Sequence, residues 1–127
     1  MHENEIAKEI VDAALKIHRA LGPGLLESVY EVVLAHELRK RGLAVVRQLP
    51  IPIQWEGFRF QEGFRADSVV QDKVIVEVKS LEKVPPVARK KTLSYIRLAD
   101  KRLGLLVNFG ESLIRDGITR VVNGLEE

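Results

Sequence analysis

The chain of 127 residues reads as an α/β protein, a mixed central β-sheet flanked by helices. Three observations predict it. Apolar residues in the first forty positions recur at three- and four-residue steps, the period of a helix packed on one face. From Leu43 to Ser80 the pattern changes to short β-branched and aromatic runs separated by turn residues, the signature of strands. After one more helical segment, RLGLLVNF is a continuous apolar run of the kind buried on both faces of a sheet.

Taken in order, Ile6, Ile10, Ala13/Ala14 and Ile17 predict an amphipathic helix from about Glu3 to Ala20, broken by LGPG. A second helix is expected from near Gly24 or Leu25, with Leu26, Val29/Tyr30, Val33/Leu34 and Leu38 as apolar positions. It ends in RKRG, where Arg39, Lys40 and Arg41 suit the negative end of the helix dipole or a phosphate, and Gly42 supplies the stop. AVVRQ, IPIQWEG with FRF, FRADSVV and VIVEVKS read as strands, with Pro50 and Pro52 marking an edge or a bulge. LEKVPP is a loop and ARKKTLSYIRLA a third helix. ITRVVN is a weaker strand or a short helix. The order is ααβββ(β)αβ in a single domain, 1–127, with no repeat or linker to divide it.

Composition narrows the function. With 46% apolar residues the chain can bury an ordinary core. It has no cysteine, which excludes disulfides, thiol nucleophiles and thiolate metal sites. Its histidines, at 2, 18 and 36, are too few for a histidine-rich metal cage. No run approaches the roughly 20 apolar residues that span a bilayer, and MHENEIAKEI does not resemble a signal peptide, so a cytoplasmic protein without membrane association is expected. Twenty basic against 18 acidic residues leave a net charge of +2, so the placement of charge matters more than its sum. Phosphate loops, HExxH, GxSxG and dinucleotide fingerprints are all missing.

The informative segment is FRADSVVQDKVIVEVKS. Period-two alternation puts Val74, Val76 and Val78 on one face of their strand, and Ile75, Glu77 and Lys79 on the other. A three-residue turn at Gln71–Asp72–Lys73 pairs Val70 with Val74 and sets Asp67 opposite Glu77, about 5 Å away. A two-residue turn would set Asp67 opposite Val76 and scatter the cluster. Two carboxylates and a lysine on one face suit a hard divalent cation, which takes one or two carboxylates, several waters and a phosphate oxygen. They equally suit a cross-strand ion pair on a solvated sheet face. Trp55, with Phe58 and Phe60, reads first as a partly buried packing residue and second as a platform for unpaired bases.

Asp67 followed by Glu77-Val78-Lys79 resembles the D…(D/E)xK signature of the PD-(D/E)xK nuclease superfamily. GLLESVY, from Gly24 to Tyr30, resembles the motif of its bacterial and archaeal GxxExxY family. The likeness runs from about Ile6 to Asn123 and includes IHRALGPGLLESVYE, KRGL, FRAD, VIVEVKS, SYIRL and LGLLVNFG. It implies a restriction-endonuclease-like core and a Mg²⁺- or Mn²⁺-dependent hydrolase of phosphodiester bonds in DNA or RNA. In that reading Glu27, Asp67 and Glu77 bind the metal, the carbonyl of Val78 adds an oxygen, and Lys79 orients the attacking water. His18 and Tyr30 are structural residues or neighbours of the site. On the helix after ExK the family often carries Gln-x-x-x-Tyr with a histidine one turn earlier. Tyr95 keeps the tyrosine, but Lys91 replaces the amide and Ala88 the histidine, which puts a cation where a donor–acceptor group is expected.

Lys90, Arg97 and Lys101 are expected on one face of that helix, either as phosphate contacts or as a solvated surface. The leading expectation is thus a metal-dependent nuclease, with a homodimer if both strands of a duplex are cut. The alternative is a catalytically inactive module of the same fold that binds nucleic acid or a partner, and the third reading is an ion-pair network without function.

Overall fold

Ile6, Ile10, Ala13, Ala14 and Ile17 form the buried stripe of helix α1, Glu3–Leu21, as their spacing predicts. In the computed structural model, which describes residues 1–126, α1 opens with a capping box. The His2 side chain accepts from the Asn4 N–H, and the Glu5 carboxylate accepts from the His2 N–H. Helix α2, Glu27–Lys40, follows the LGPG break and starts two residues later than expected. The basic RKRG cluster is engaged locally: Arg39 donates to the Val45 carbonyl and Arg41 pairs with Glu37 and Glu9. No helix among the described residues is long and apolar enough to cross a membrane.

Strands β1 (Val45–Trp55), β2 (Phe58–Val70) and β3 (Val74–Lys79) come next. Helix α3 (Pro86–Leu98) leads to β4 (Leu103–Asn108), and a 3₁₀ turn at Ile114–Gly117 precedes β5 (Ile118–Val122). The sheet order follows the chain, β1-β2-β3-β4-β5. All neighbours are antiparallel except β3 and β4, which run parallel because α3 forms their crossover. The mixed sheet is therefore as expected, and ITRVVN is a strand rather than a helix. The two runs around Pro50 and Pro52 are one edge strand, with the register shift between Ile51 and Ile53.

Two cores form on opposite faces. Helices α1 and α2 cover Val70, Val74, Val76, Val78, Leu103, Leu105 and Val107. The other face holds a smaller cluster of Ile51, Ala66, Val69, Ile75, Val121 and the α3 residue Ile96. Gly104 allows α3 to lie close on β4, since a Cβ there would stand 2.9 Å from Ile96 Cγ2 and 3.0 Å from Thr92 Cγ2. Pro85 and Pro86 start α3 earlier than the loop reading of LEKVPP, because proline fits the first helical position and its missing N–H is not needed there.

Candidate functional site

The turn between β2 and β3 contains three residues. Val70 pairs with Val74, Val69 with Ile75 and Ser68 with Val76. Gln71 and Asp72 take positive φ, 53° and 54°, and Lys73 N–H closes the turn on the Val70 carbonyl. One step further in this register Asp67 comes beside Glu77. Its Oδ2 accepts from the Val78 N–H at 2.9 Å, which fixes the carboxylate against the β3 backbone.

Asp67, Glu77 and Lys79 lie in the wall of a pocket of about 300 Å³ between the sheet and α3. Arg65 lines it from β2, and Ala88, Lys91, Thr92 and Tyr95 line it from the helix. These four helix positions share one side at 100° per residue. Lys90 and Arg97 fall on the opposite, solvent-facing side, so they do not line the pocket. Lys101 lies beyond the helix, which ends at Leu98; its ammonium donates to the carbonyl and the side chain of Asp72. The expected single face of Lys90, Arg97 and Lys101 is therefore corrected. The chain turns at Asp100, where φ is 54°, before a further helical turn forms.

Glu77 is buried, and its Oε1 has no hydrogen-bond partner among the described residues. Burial first, then the Asp67 charge and the hydrogen bond shared with it, push its carboxyl up to about 9; Lys79 opposes this. Glu77 is thus mostly neutral near pH 7. Lys79 and Lys91 form no salt bridge among the described residues, whereas Arg65 is held by Glu62.

Glu27 stands at the first position of α2 and is exposed, outside the pocket wall. Partial burial raises its carboxyl; Lys79 lowers it, and Asp67 and Glu31 raise it further. It therefore senses the site's charges from a distance. Among the described residues no group of three or more His, Asp or Glu stands close enough to hold a metal ion. Asp67 and Glu77 are brought together; Glu27 does not complete a triad with them. The pair alone fits the one or two carboxylates that a hard cation such as Mg²⁺ takes, and the orphaned Oε1 is an acceptor with nothing to accept from.

His18 and Tyr30 have structural partners. His18 Nε2 lies 2.8 Å from the Glu111 carbonyl, tying α1 to the segment after β4. Tyr30 is fully buried and stacks on Phe109 with centroids 4.4 Å apart. Its hydroxyl donates to the Gly22 carbonyl and accepts from the Leu25 N–H, which pins the LGPG segment ahead of Glu27. Tyr95 stacks on Phe64 at 3.9 Å and walls the pocket.

Asn108 was not singled out from the sequence. Its buried amide donates to the Leu81 carbonyl and accepts from Leu81 N–H and Gly110 N–H, clamping the chain just after Lys79. An amide at the end of the apolar run LGLLVNF was the available signal, since a buried polar side chain needs partners. Arg65, in FRAD, was the second residue missed.

Neither curated proteins nor solved structures give a match to this chain. The family model of the PD-(D/E)XK nuclease superfamily matches residues 4–121. With D…ExK brought to one pocket and GxxExxY leading into α2, the chain belongs to the PD-(D/E)XK nuclease superfamily, in its GxxExxY family.

Proposed function

We propose that the protein is a nucleic-acid-binding module of this fold, which takes a backbone phosphate into the pocket between β3 and α3. One observation carries the reading: Lys79 and Lys91 line the same pocket from the sheet and from α3, without salt bridges among the described residues. A pocket into which two lysines and an arginine converge attracts an anion. Lys91, standing where the family often carries glutamine, supplies the second cation. Fluorescence anisotropy with labelled DNA and RNA at several salt concentrations tests this. Lys79→Ala and Lys91→Ala should each weaken binding and lower the salt slope by about 1. Slopes equal to wild type would remove the pocket from the interface.

A second reading, hydrolysis of the phosphodiester bond with Mg²⁺ or Mn²⁺, is favoured by the orphaned Oε1 of Glu77 beside Asp67. The two carboxylates would hold the cation, with the Val78 carbonyl as a further oxygen. The cation would supply polarisation of the phosphoryl group and a more acidic bound water. Lys79, in the same wall, is placed to orient that water. Asp67 is fixed by the Val78 N–H through Oδ2, which leaves its second oxygen for a cation. Metal titration by calorimetry on wild type and Asp67→Ala separates the readings. Binding heat lost in the variant, with cleavage that disappears in Lys79→Ala, supports the hydrolase; nucleic-acid binding without metal heat supports the module alone.

A further inference from the structure

The β1–β2 hairpin ends in the two-residue turn Glu56–Gly57, with φ of 46° and 82° and Trp55 opposite Phe58. Positive φ at both central residues is the type I′ geometry that matches the natural strand twist. Ile53 pairs with Phe60. Paired residues and residues two apart share a face, so Ile53, Trp55, Phe58 and Phe60 point to one side of the hairpin, and Gln54 and Arg59 to the other. Trp55 is 70% exposed, Phe58 60% and Phe60 59%. The partial burial expected for Trp55 is therefore corrected: the hairpin reaches past the helices that would cover it.

That face continues the pocket side of the sheet. Ile51, two residues before Ile53, is buried in the cluster that contains Ile96 of α3. Its partner Phe64 stacks on Tyr95, which walls the pocket. The register shifts between Ile51 and Ile53, where Ile53 lies over Gly63: a Cβ there would stand 2.1 Å from Ile53 Cγ1.

We propose that the exposed hairpin face stacks unpaired bases of a single-stranded nucleic acid whose backbone the pocket holds; this rests on the phosphate-binding reading above. Its large exposed side chains are aromatic, offering flat π surfaces that accept any base. Stacking and phosphate contact are segregated along one strand: Trp55, Phe58 and Phe60 stand at the hairpin end, with Glu62 beyond them paired to Arg65, while Arg65, Lys79 and Lys91 gather at the pocket. Asp67 lies seven positions beyond Phe60 along β2, about 23 Å at the usual strand rise. One extended strand would then meet both ends. A second copy pairing along the outer edge of β1 is disfavoured, because Pro50 and Pro52 offer no N–H to a ladder.

Trp55 is the chain's single tryptophan, so its fluorescence reads the stack directly. The experiment titrates the full chain with a short mixed-sequence single-stranded DNA, its RNA equivalent and the DNA duplex. A single strand should quench Trp55, and Phe58→Ala or Phe60→Ala should weaken its binding at least about fivefold. Duplex affinity should stay unchanged, and circular dichroism should confirm folded variants. Single-strand binding that survives both substitutions with Trp55 unquenched overturns the stacking proposal, while loss in Lys79→Ala would leave the phosphate reading standing. No binding to any nucleic acid overturns both. Self-association by sedimentation, abolished in Phe60→Ala, would assign the face to a second copy and overturn the proposal.

Discussion

Glu37 and Glu77 lie on opposite sides of the sheet, nearly equally buried at 8% and 6% exposure, yet their carboxyls move in opposite directions. Hydrogen bonds from Lys16 and Arg41 bring Glu37 down to about 2, with Lys40 adding its charge. Glu77 is held up to about 9 by burial first and then by the charge of Asp67 beside it. At Glu37 the bonded cations outweigh desolvation, whereas at Glu77 desolvation dominates and the neighbouring carboxylate adds to it. On the α1–α2 side the buried carboxylate of Glu37 is answered by Lys16, Lys40 and Arg41. The α3 side keeps a smaller core and a buried carboxyl oxygen, Oε1 of Glu77, without a hydrogen-bond partner among the described residues.

The comparison can be broken at several points. The largest effect belongs to the α1–α2 core: Leu34→Ala should cost about 2–5 kcal/mol, measured by denaturant unfolding, because the buried side chain leaves a cavity. A near-neutral result would mean that this side is no more tightly packed than the pocket.

The two glutamates should then show opposite pH signatures. Glu77 has a folded pKa above its unfolded value, so its stabilising contribution is present below about 4.5 and is lost as pH rises toward about 9. Glu77→Gln should therefore raise the melting temperature at pH 8 relative to wild type, with a smaller gain at pH 4. Glu37 has a depressed folded pKa, so its contribution is present above about 4.5 and lost as pH falls toward about 2. Glu37→Gln should lower the melting temperature at pH 7, and the gap should close near pH 2. Thermal scans across pH that give the two variants the same sign would end the contrast. The smallest effect is expected at Glu27. Since it stands outside the Asp67–Glu77 pair, Glu27→Gln should leave any Mn²⁺ binding heat nearly intact, while Asp67→Asn should remove it.

Much of this was legible before the structure. The three-residue turn Gln71–Asp72–Lys73 favoured one register of β2 on β3, because it sets Asp67 opposite Glu77 and Val69 opposite Ile75, whereas a slip by one would set Asp67 opposite Val76. The double-sided apolar run at Leu103–Asn108 announced a central strand. Pro50 and Pro52 announced an edge. Less could be read about which helix face meets which sheet face. Lys90, Arg97 and Lys101 formed a plausible stripe on paper, yet Lys91 lines the pocket, Lys90 and Arg97 face away, and Lys101 answers Asp72. Spacing measures angles around a helix axis but carries no information about how that axis is rotated against its neighbour.

Sequence by itself determined the elements, the family and the meeting of Asp67 with Glu77, since these follow from periodicity, turn length and short-range pairing. Tertiary structure alone decided that Glu27 lies outside the pocket wall while its charge couples to Asp67 and Lys79, that Lys91 shares the pocket with Lys79, and that Trp55, Phe58 and Phe60 stand uncovered. Those outcomes depend on how far helices extend over a sheet, which is settled by the packing of distant segments and written in no local stretch of the chain.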